Sequence, residues 1–254
     1  MAGTSAVVDG LYEARAHGRG PIPDAPDVTR DEALDLQLAV LDRFVAAGDA
    51  LAGWKVSFTS GKSRDRMGPG YRPFGYIVRS RVFSSGATVT LAGEFGFALE
   101  PELCLVLGAK LRGPVDREAA RAAVAGVAPA FEINQQRLAA AAPDALRLVD
   151  GTGNWGIVVG SPSSAARDGA DLAAIDVRVF AGDQQVGSSP ATPDMDDPFA
   201  SLATLATLLD RHGRGLEPGD RVITGSFTRV AVAGPARFRA TFDGVGEVVV
   251  DVAQ

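Results

Sequence analysis

The sequence predicts an α+β fold. Helical and strand-like segments both occur along its 254 residues, yet they do not alternate as a doubly wound sheet requires, and the last fifty residues read largely as strands. At 46% hydrophobic the chain can bury a proper core, in one large domain or two modest ones.

The first strong element begins at Thr29, which forms a capping-box pattern with Glu32. Leu34, Leu38, Leu41 and Val45 then recur at helical spacing until Gly48 stops the helix. GWKVSFTS alternates: Trp54, Val56 and Phe58 point one way and Lys55, Ser57 and Thr59 the other, which puts Lys55 on the polar face of a half-buried strand. GFALEPELCLVL, residues 96 to 107, reads as a further strand. A second helix is expected over Val115 to Val124. A third starts near Pro198, a residue suited to a first helical position, and runs through Phe199, Leu202, Leu205 and Leu209 to Gly213. The closing segments GDRVITGSFT, ARFRATFDGVG and EVVVDVA predict a β meander with glycine-containing turns.

Composition narrows the partners. The net charge is −6, and no cluster of Lys and Arg is interleaved with aromatics, so DNA and RNA are not expected. Charges and glycines break the N-terminal segment MAGTSAVVDGLYEARAHGRG, and no apolar run approaches the ~20 residues of a membrane span. No membrane partner and a cytoplasmic location are therefore the expectations. The single cysteine, Cys104, rules out an internal disulfide and a multi-cysteine zinc site, and reads as a small core residue.

The chemistry concentrates in residues 96 to 107. A period of two places Glu100, Glu102 and Cys104 on one strand face and Leu99, Leu103, Leu105 and Leu107 on the other, with the two carboxylates roughly 7 Å apart at Cα. Close, poorly hydrated carboxylates repel, so one takes up a proton or a cation sits between them. Glu132, in APAFEINQQR, is a third acid in an apolar run. Three carboxylates without a neighbouring histidine or cysteine form a hard-oxygen set suited to Mg²⁺ or Mn²⁺; zinc fits poorly. The competing reading is an edge strand, favoured by Pro101, with both acids in solvent.

Five segments then match one family in order. GWKVSFTS, LEPELCLVLG, AFEINQQR, DGTGNWGIVVG and PGDRVITGSFT resemble the lysine strand, the two-glutamate strand, the third-glutamate segment, the asparagine-bearing turn and the late TGS strand of the fumarylacetoacetate hydrolase superfamily. The resemblance is to its branch of 2-hydroxypenta-2,4-dienoate (2-oxopent-4-enoate) hydratases and 4-oxalocrotonate decarboxylases, and covers nearly the whole chain. It implies a mixed β-roll with an N-terminal helix-containing region: residues 1–80 as an α+β region and 81–254 as the metal-binding catalytic domain, unless the two are continuous. It also implies Glu100, Glu102 and Glu132 as Mg²⁺ or Mn²⁺ ligands, Lys55 as an active-site acid/base, and a homo-oligomer. Two departures stand out. Ser57 replaces a glycine of the lysine strand, and Asn134, Gln135 and Gln136 replace a valine, an aspartate and a serine beside the third glutamate.

The remaining candidates each carry two readings. Asn154, between Gly151 and Gly153, is a catalytic-site residue by analogy or a turn former. Ser226 and Thr228 offer hydroxyls to a substrate carboxylate, or are the polar face of a strand. Arg72 suits a second carboxylate as a bidentate fork, or is a surface arginine. The hydrolases of this superfamily use a histidine–glutamate pair; of the two histidines here, His212 falls at a helix end and only His17 could serve, otherwise as a flexible-loop residue. The expected activity is a metal-dependent lyase acting on a 2-oxo or 2-hydroxydienoic acid through a metal-stabilised enolate: a 2-oxopent-4-enoate-type hydratase, a 4-oxalocrotonate-type decarboxylase, or a specialised relative taking a larger 2-oxo acid. The alternative from another class is a non-catalytic metal-binding protein that kept the fold.

Overall fold

The computed structural model describes residues 2–169, 171, 172, 174–189 and 194–253. Its helices are α1 (Ala2–His17), α2 (Arg30–Ala46), α3 (Arg117–Ala123), α4 (Asp144–Val149), α5 (Ser164–Gly169) and α6 (Pro198–Arg211). Its strands are β1 (Leu51–Val56), β2 (Phe74–Val78), β3 (Val82–Ser84), β4 (Thr88–Thr90), β5 (Gly96–Leu107), β6 (Val124–Gln136) and β7 (Asn154–Val159), then β8 (Val177–Ala181), β9 (Gln184–Ser188), β10 (Arg221–Ser226), β11 (Val230–Val232), β12 (Ala236–Phe242) and β13 (Gly246–Ala253).

Local rules hold where the sequence spoke clearly. Thr29 caps α2 with the reciprocal Glu32 bonds of a capping box, and Asp197 caps α6 ahead of Pro198. The helix expected over Val115 to Val124 is shorter, capped by Asp116 and giving way to β6 at Val124. Helix α1 was not anticipated, because Gly3, Gly10 and scattered charges mask its pattern. It is held by fully buried Leu11 and Ala14 and by Arg15, which lies over the Tyr76 ring and donates to the Asp150 carbonyl at 2.9 Å.

Two sheets organise the strands. The larger runs β2-β1-β10-β5-β6-β7-β3, with β11 also on β5; the smaller runs β4-β13-β12-β8-β9 and packs through β12 and β13 on β6. The closing strands are thus not one meander. β12 and β13 form a hairpin, while β10 inserts parallel to β1 and antiparallel to β5. β1 and β2, from the first 80 residues, are hydrogen-bonded into the same sheet as β5 and β6, so the two expected regions share one sheet.

The larger sheet curls until β2 meets β7. Register assigns its two faces. Trp54, Val222, Leu105 and Val127 align on the outer face and join the main core, with α6 against β1, β2 and β10. Lys55, Ile223, Cys104 and Ala128 align on the inner face, where Ile77, Cys104, Ala128, Ala130, Ile157 and Ile223 form a small separate cluster. β5 is therefore an inner strand, and the edge-strand reading of Pro101 falls. Proline is tolerated because its carbonyl accepts from Phe227 N–H at 3.0 Å, so its missing donor faces the interruption between β10 and β11. β1 also stops earlier than alternation suggested, since Phe58 adopts a left-handed φ of 60°.

Gly53 sits opposite Arg221, and a Cβ there would lie 2.0 Å from the Arg221 carbonyl oxygen. Gly53→Ala is expected to lose about 3 kcal/mol, read as a lower urea midpoint. An unchanged midpoint would contradict this β1–β10 approach.

Candidate metal centre and active site

The antiparallel register of β5 and β6 sets Glu100 directly opposite Glu132, and Glu102 opposite Ala130. One carboxylate oxygen from each of Glu100, Glu102 and Glu132 lies within 4.8 Å of the others. All three belong to the inner face, above the small residues Cys104, Ala128 and Ala130. Glu132 is 0% exposed and Glu102 2%, whereas the Glu100 side chain keeps 13% exposure.

Each acid has a designated partner. Lys55, itself buried, donates from Nζ to both Glu132 oxygens at 2.7 and 2.8 Å. Gly75 leaves the room for it, because a Cβ there would stand 2.8 Å from Lys55 Cγ. Asn154 Nδ2 donates to Glu132 Oε1 at 2.9 Å, and the Gly225 N–H donates to Glu102 Oε2 at 2.7 Å. Arg229 donates to Glu100 Oε1 and to Asn134 Oδ1, and Asn134 reaches the Thr152 carbonyl at 3.2 Å.

The charges are unevenly shared. Burial, then repulsion from Glu132, pushes Glu100 up to about 7, against the pull of Lys55 and Arg229. Burial and the same neighbour raise Glu102 well above the carboxylate range. Burial would raise Glu132 too, but the Lys55 charge and the bonds from Lys55 and Asn154 hold it below its usual value. Burial alone would discharge Lys55; the carboxylates of Glu132, Glu100 and Glu102 outweigh it and keep the ammonium protonated. Three carboxylates thus share two cations, Lys55 on Glu132 and Arg229 on Glu100, and Glu102 has only the Gly225 N–H. A buried all-oxygen set in that condition fits a hard divalent cation.

Lys55, Glu100 and Glu102 open onto a cavity of 430 Å³, with Ser57, Phe58, Thr152, Ser226 and Arg229 among its other walls. Phe58 and Thr152 hold left-handed φ values of 60° and 53°, and Ser57 bonds Thr152 Oγ1 at 2.7 Å. Glu132 and Asn154 lie behind this wall. Ser226 lines the cavity but donates its hydroxyl to the Thr228 carbonyl at 2.5 Å.

The structure does not bring every sequence candidate here. Arg72 sits in a separate groove, its guanidinium engaged by Asp65 at 2.7 Å and by Asp196. Thr228 lies outside the cavity wall, close enough for its side chain to meet a Cβ placed on Gly187. His17 is on α1 rather than in a loop, beside Glu13 at 3.3 Å, and His212 caps α6 beside Asp35 at 2.7 Å. Among the described residues no histidine lines the cavity. Arg229, Asn134, Thr152 and the Gly225 N–H were missed. Arg229 gives no local signal, since it follows a strand and is brought to Glu100 only by the β11 register.

The fumarylacetoacetate (FAA) hydrolase C-terminal family model matches residues 55–253. The chain is 29% identical over 243 residues to the 2-hydroxyhexa-2,4-dienoate hydratase of Comamonas testosteroni, covering 93% of this chain and 92% of that one. It is 29% identical over 237 residues to a 4-oxalocrotonate decarboxylase of Pseudomonas sp, covering 91% and 90%. The 4-oxalocrotonate decarboxylase from Pseudomonas putida G7, solved in complex with magnesium and adipate, superposes with a TM-score of 0.87 at 21% identity, over 98% of this chain and 97% of that one.

Glu100 gives the site a pH signature. Its carboxyl holds a proton in the folded protein up to about 7 but only to an ordinary 4.5 when unfolded. Its contribution to stability is thus complete below 4.5 and lost as pH rises through 7. In chelator, the melting temperature should fall over that window more steeply for the wild type than for Glu100→Gln. Equal slopes would refute the raised Glu100.

Proposed function

The chain belongs to the fumarylacetoacetate (FAA) hydrolase family, and from that membership we propose that it is a divalent-metal-dependent lyase acting on a 2-oxo or 2-hydroxydienoic acid. Hydration of a 2-oxopent-4-enoate-type substrate is the primary reading and decarboxylation of a 4-oxalocrotonate-type acid the second, in keeping with equal 29% identities to a hydratase and a decarboxylase. The observation that carries the proposal is the convergence of three carboxylates within 4.8 Å beside Lys55, at the wall of a substrate-sized cavity.

Glu100, Glu102 and Glu132 would hold Mg²⁺ or Mn²⁺. When bound, the ion supplies Lewis-acid stabilisation of negative charge developing on the substrate's 2-oxo oxygen. The rest falls to the chain's own groups. The Gly225 N–H fixes Glu102, and Asn154 fixes Glu132. Lys55 would move protons at Nζ, held by both Glu132 oxygens at the cavity wall. Ser226 and Ser57 present polar edges to the bound acid. His17 and His212 both lie away from the wall, and among the described residues no histidine stands beside the acids to form the histidine–glutamate pair of the hydrolases.

The direct test is a metal-supplemented panel of 2-oxo acids followed by ultraviolet absorbance and CO₂ release, which should show turnover that chelation stops. Calorimetry should show Glu100→Gln binding Mg²⁺ or Mn²⁺ more weakly than the wild type; equal affinities would remove Glu100 from the ligand set.

Lys55→Met should lower kcat ~10²- to 10⁴-fold while sparing KM. Hydration, which needs a proton delivered to carbon and a water activated, should suffer more than CO₂ release. A Lys55→Met protein with metal bound and full turnover would sink the role.

The same reading includes a homo-oligomer. β9 is an exposed edge strand carrying Val186, 38% exposed, a surface that assembly would cover. Light scattering should give a multiple of the 26.2 kDa chain, and a monomer at micromolar concentration would count against it.

A further inference from the structure

Helix α1 ends well before residue 55, where the family model begins, yet one of its side chains reaches the site from behind. Arg15 is 1% exposed and lies over the Tyr76 ring, 4.2 Å from Cζ to the centroid. Its Nη1 donates to the Asp150 carbonyl at 2.9 Å, its Nε has no hydrogen-bond partner, and no carboxylate among the described residues forms an ion pair with it. Burial accordingly pulls its pKa below the ordinary arginine value. A buried guanidinium so poorly paired costs stability, and an apolar side chain could fill the same space against Tyr76. The reason for an arginine here is therefore sought in the bond it makes.

What Arg15 holds is the turn from Asp150 to Asn154. Gly151, Thr152 and Gly153 are consecutive residues with left-handed φ values of 67°, 53° and 84°, a run that persists only where outside contacts impose it. Those contacts converge on Asp150. Arg15 and Arg137 both donate to its carbonyl, at 2.9 and 3.3 Å, while its carboxylate accepts from Arg137 Nε at 2.6 Å and from the Gly153 N–H at 3.0 Å. The approach is close: a Cβ on Gly151 would stand 2.9 Å from Arg15 Nη1. At the far end of the turn Asn154, 0% exposed, donates from Nδ2 to Glu132 Oε1 at 2.9 Å. Arg15 itself bonds to none of the three acids and is not part of the cavity wall.

We propose that Arg15 is a positioning residue for the acid cluster: by holding the Asp150 carbonyl it fixes the turn that delivers Asn154 to Glu132, which makes α1 part of the site. The proposal rests on the reading above, in which Glu132 is a metal ligand, and a ligand loses affinity when the group orienting it is released. The sign of the effect separates this role from that of a bare charge. Glu132 feels the Arg15 charge, so removing that charge would by itself tighten a cation at the acids, whereas releasing the turn weakens it.

Calorimetry with Mn²⁺ should show Arg15→Met binding about 10-fold more weakly than the wild type, and Asn154→Ala weaker by about 10-fold or more. Adding Arg15→Met to Asn154→Ala should cost less than about 2-fold further, because both act through one contact. Leu11→Ala, which removes apolar packing from the same helix, is the control: it should lower the melting temperature and leave Mn²⁺ affinity unchanged. A second readout needs no metal. In chelator, Arg15→Met but not Leu11→Ala should speed hydrogen exchange at the Gly153 and Gln135 N–H groups, which bond the Asp150 carboxylate and the Gly153 carbonyl. If Arg15→Met does not fold, Arg15→Lys, whose ammonium ends one bond short of the Nη1 position, takes its place under the same criteria. Unchanged or tighter Mn²⁺ binding in the Arg15 variant, equal weakening in Leu11→Ala, or full additivity with Asn154→Ala overturns the proposal. If the wild type binds no Mn²⁺ the metal reading falls, and the exchange rates alone then decide whether Arg15 holds the turn.

Discussion

Glu132 carries its charge with no exposure to water, and the surrounding site is arranged to make that tolerable. An isolated carboxylate so placed would take up a proton; Lys55 on both oxygens and Asn154 on one keep it ionised. The consequence passes to its neighbours. With the buried positive charge committed to Glu132, Glu100 and Glu102 are left to repel it, and their carboxyls hold protons into the range where ordinary acids have lost them. Lys55 is therefore structural and chemical at once. Removing it leaves an uncompensated buried charge, whereas a cation among the three acids relieves the same deficit from the other side.

Curvature of the sheet makes that pairing geometrically available. Lys55 and Glu132 are 77 residues apart in sequence and three strand intervals apart in the order β1-β10-β5-β6. In a flat sheet that separation is roughly 14 Å, beyond the reach of a lysine side chain. Curling brings β2 against β7 and turns the inner face into a narrow interior. Only small or compact side chains fit there: Cys104, Ala128 and Ala130 at the centre, three isoleucines around them, and Gly75 where Lys55 must pass. Cys104 thus belongs to the packing under the site, its thiol pushed up to about 12 by burial and kept out of acid–base chemistry.

What was legible in the sequence is what depends on one strand or one turn of helix. The spacing of Glu100 and Glu102 fixed their common face, the Thr29–Glu32 pair fixed the start of α2, and Pro198 fixed the start of α6. What depended on tertiary register was not. The last fifty residues carry the same alternation whether they form one meander or split between two sheets, and nothing local sends β10 between β1 and β5. Arg72 and Arg66 look alike as arginines in a glycine-rich segment; Asp65 and Asp196 claim the first and leave the second. Helix α1 was hidden because the residue anchoring it includes a buried arginine, held by stacking on Tyr76 and a backbone carbonyl rather than by apolar periodicity.

The departures from the family pattern fall on the cavity side of this arrangement. Ser57 spends its hydroxyl on Thr152, across a wall where Phe58 and Thr152 both hold left-handed backbone, and makes no bond to the acids. Gln135 accepts from Arg137 Nη1 at 2.7 Å, offering that guanidinium the oxygen an aspartate would offer but without its charge. Among the described residues Asp150 is left as the one neutralising partner of Arg137, and the wall is one unit more positive than it would be with the acid. Because Glu100, Glu102 and Glu132 bond to neither residue, these changes leave the acid cluster intact and act on whatever lies above it. The wall also carries Arg66 and Arg147, for which the described residues supply no carboxylate partner. Ser57 and Gln135 thus stand apart from the carboxylates' own contacts, whereas Asn134, which accepts from the same Arg229 that holds Glu100, joins the wall to the acid cluster.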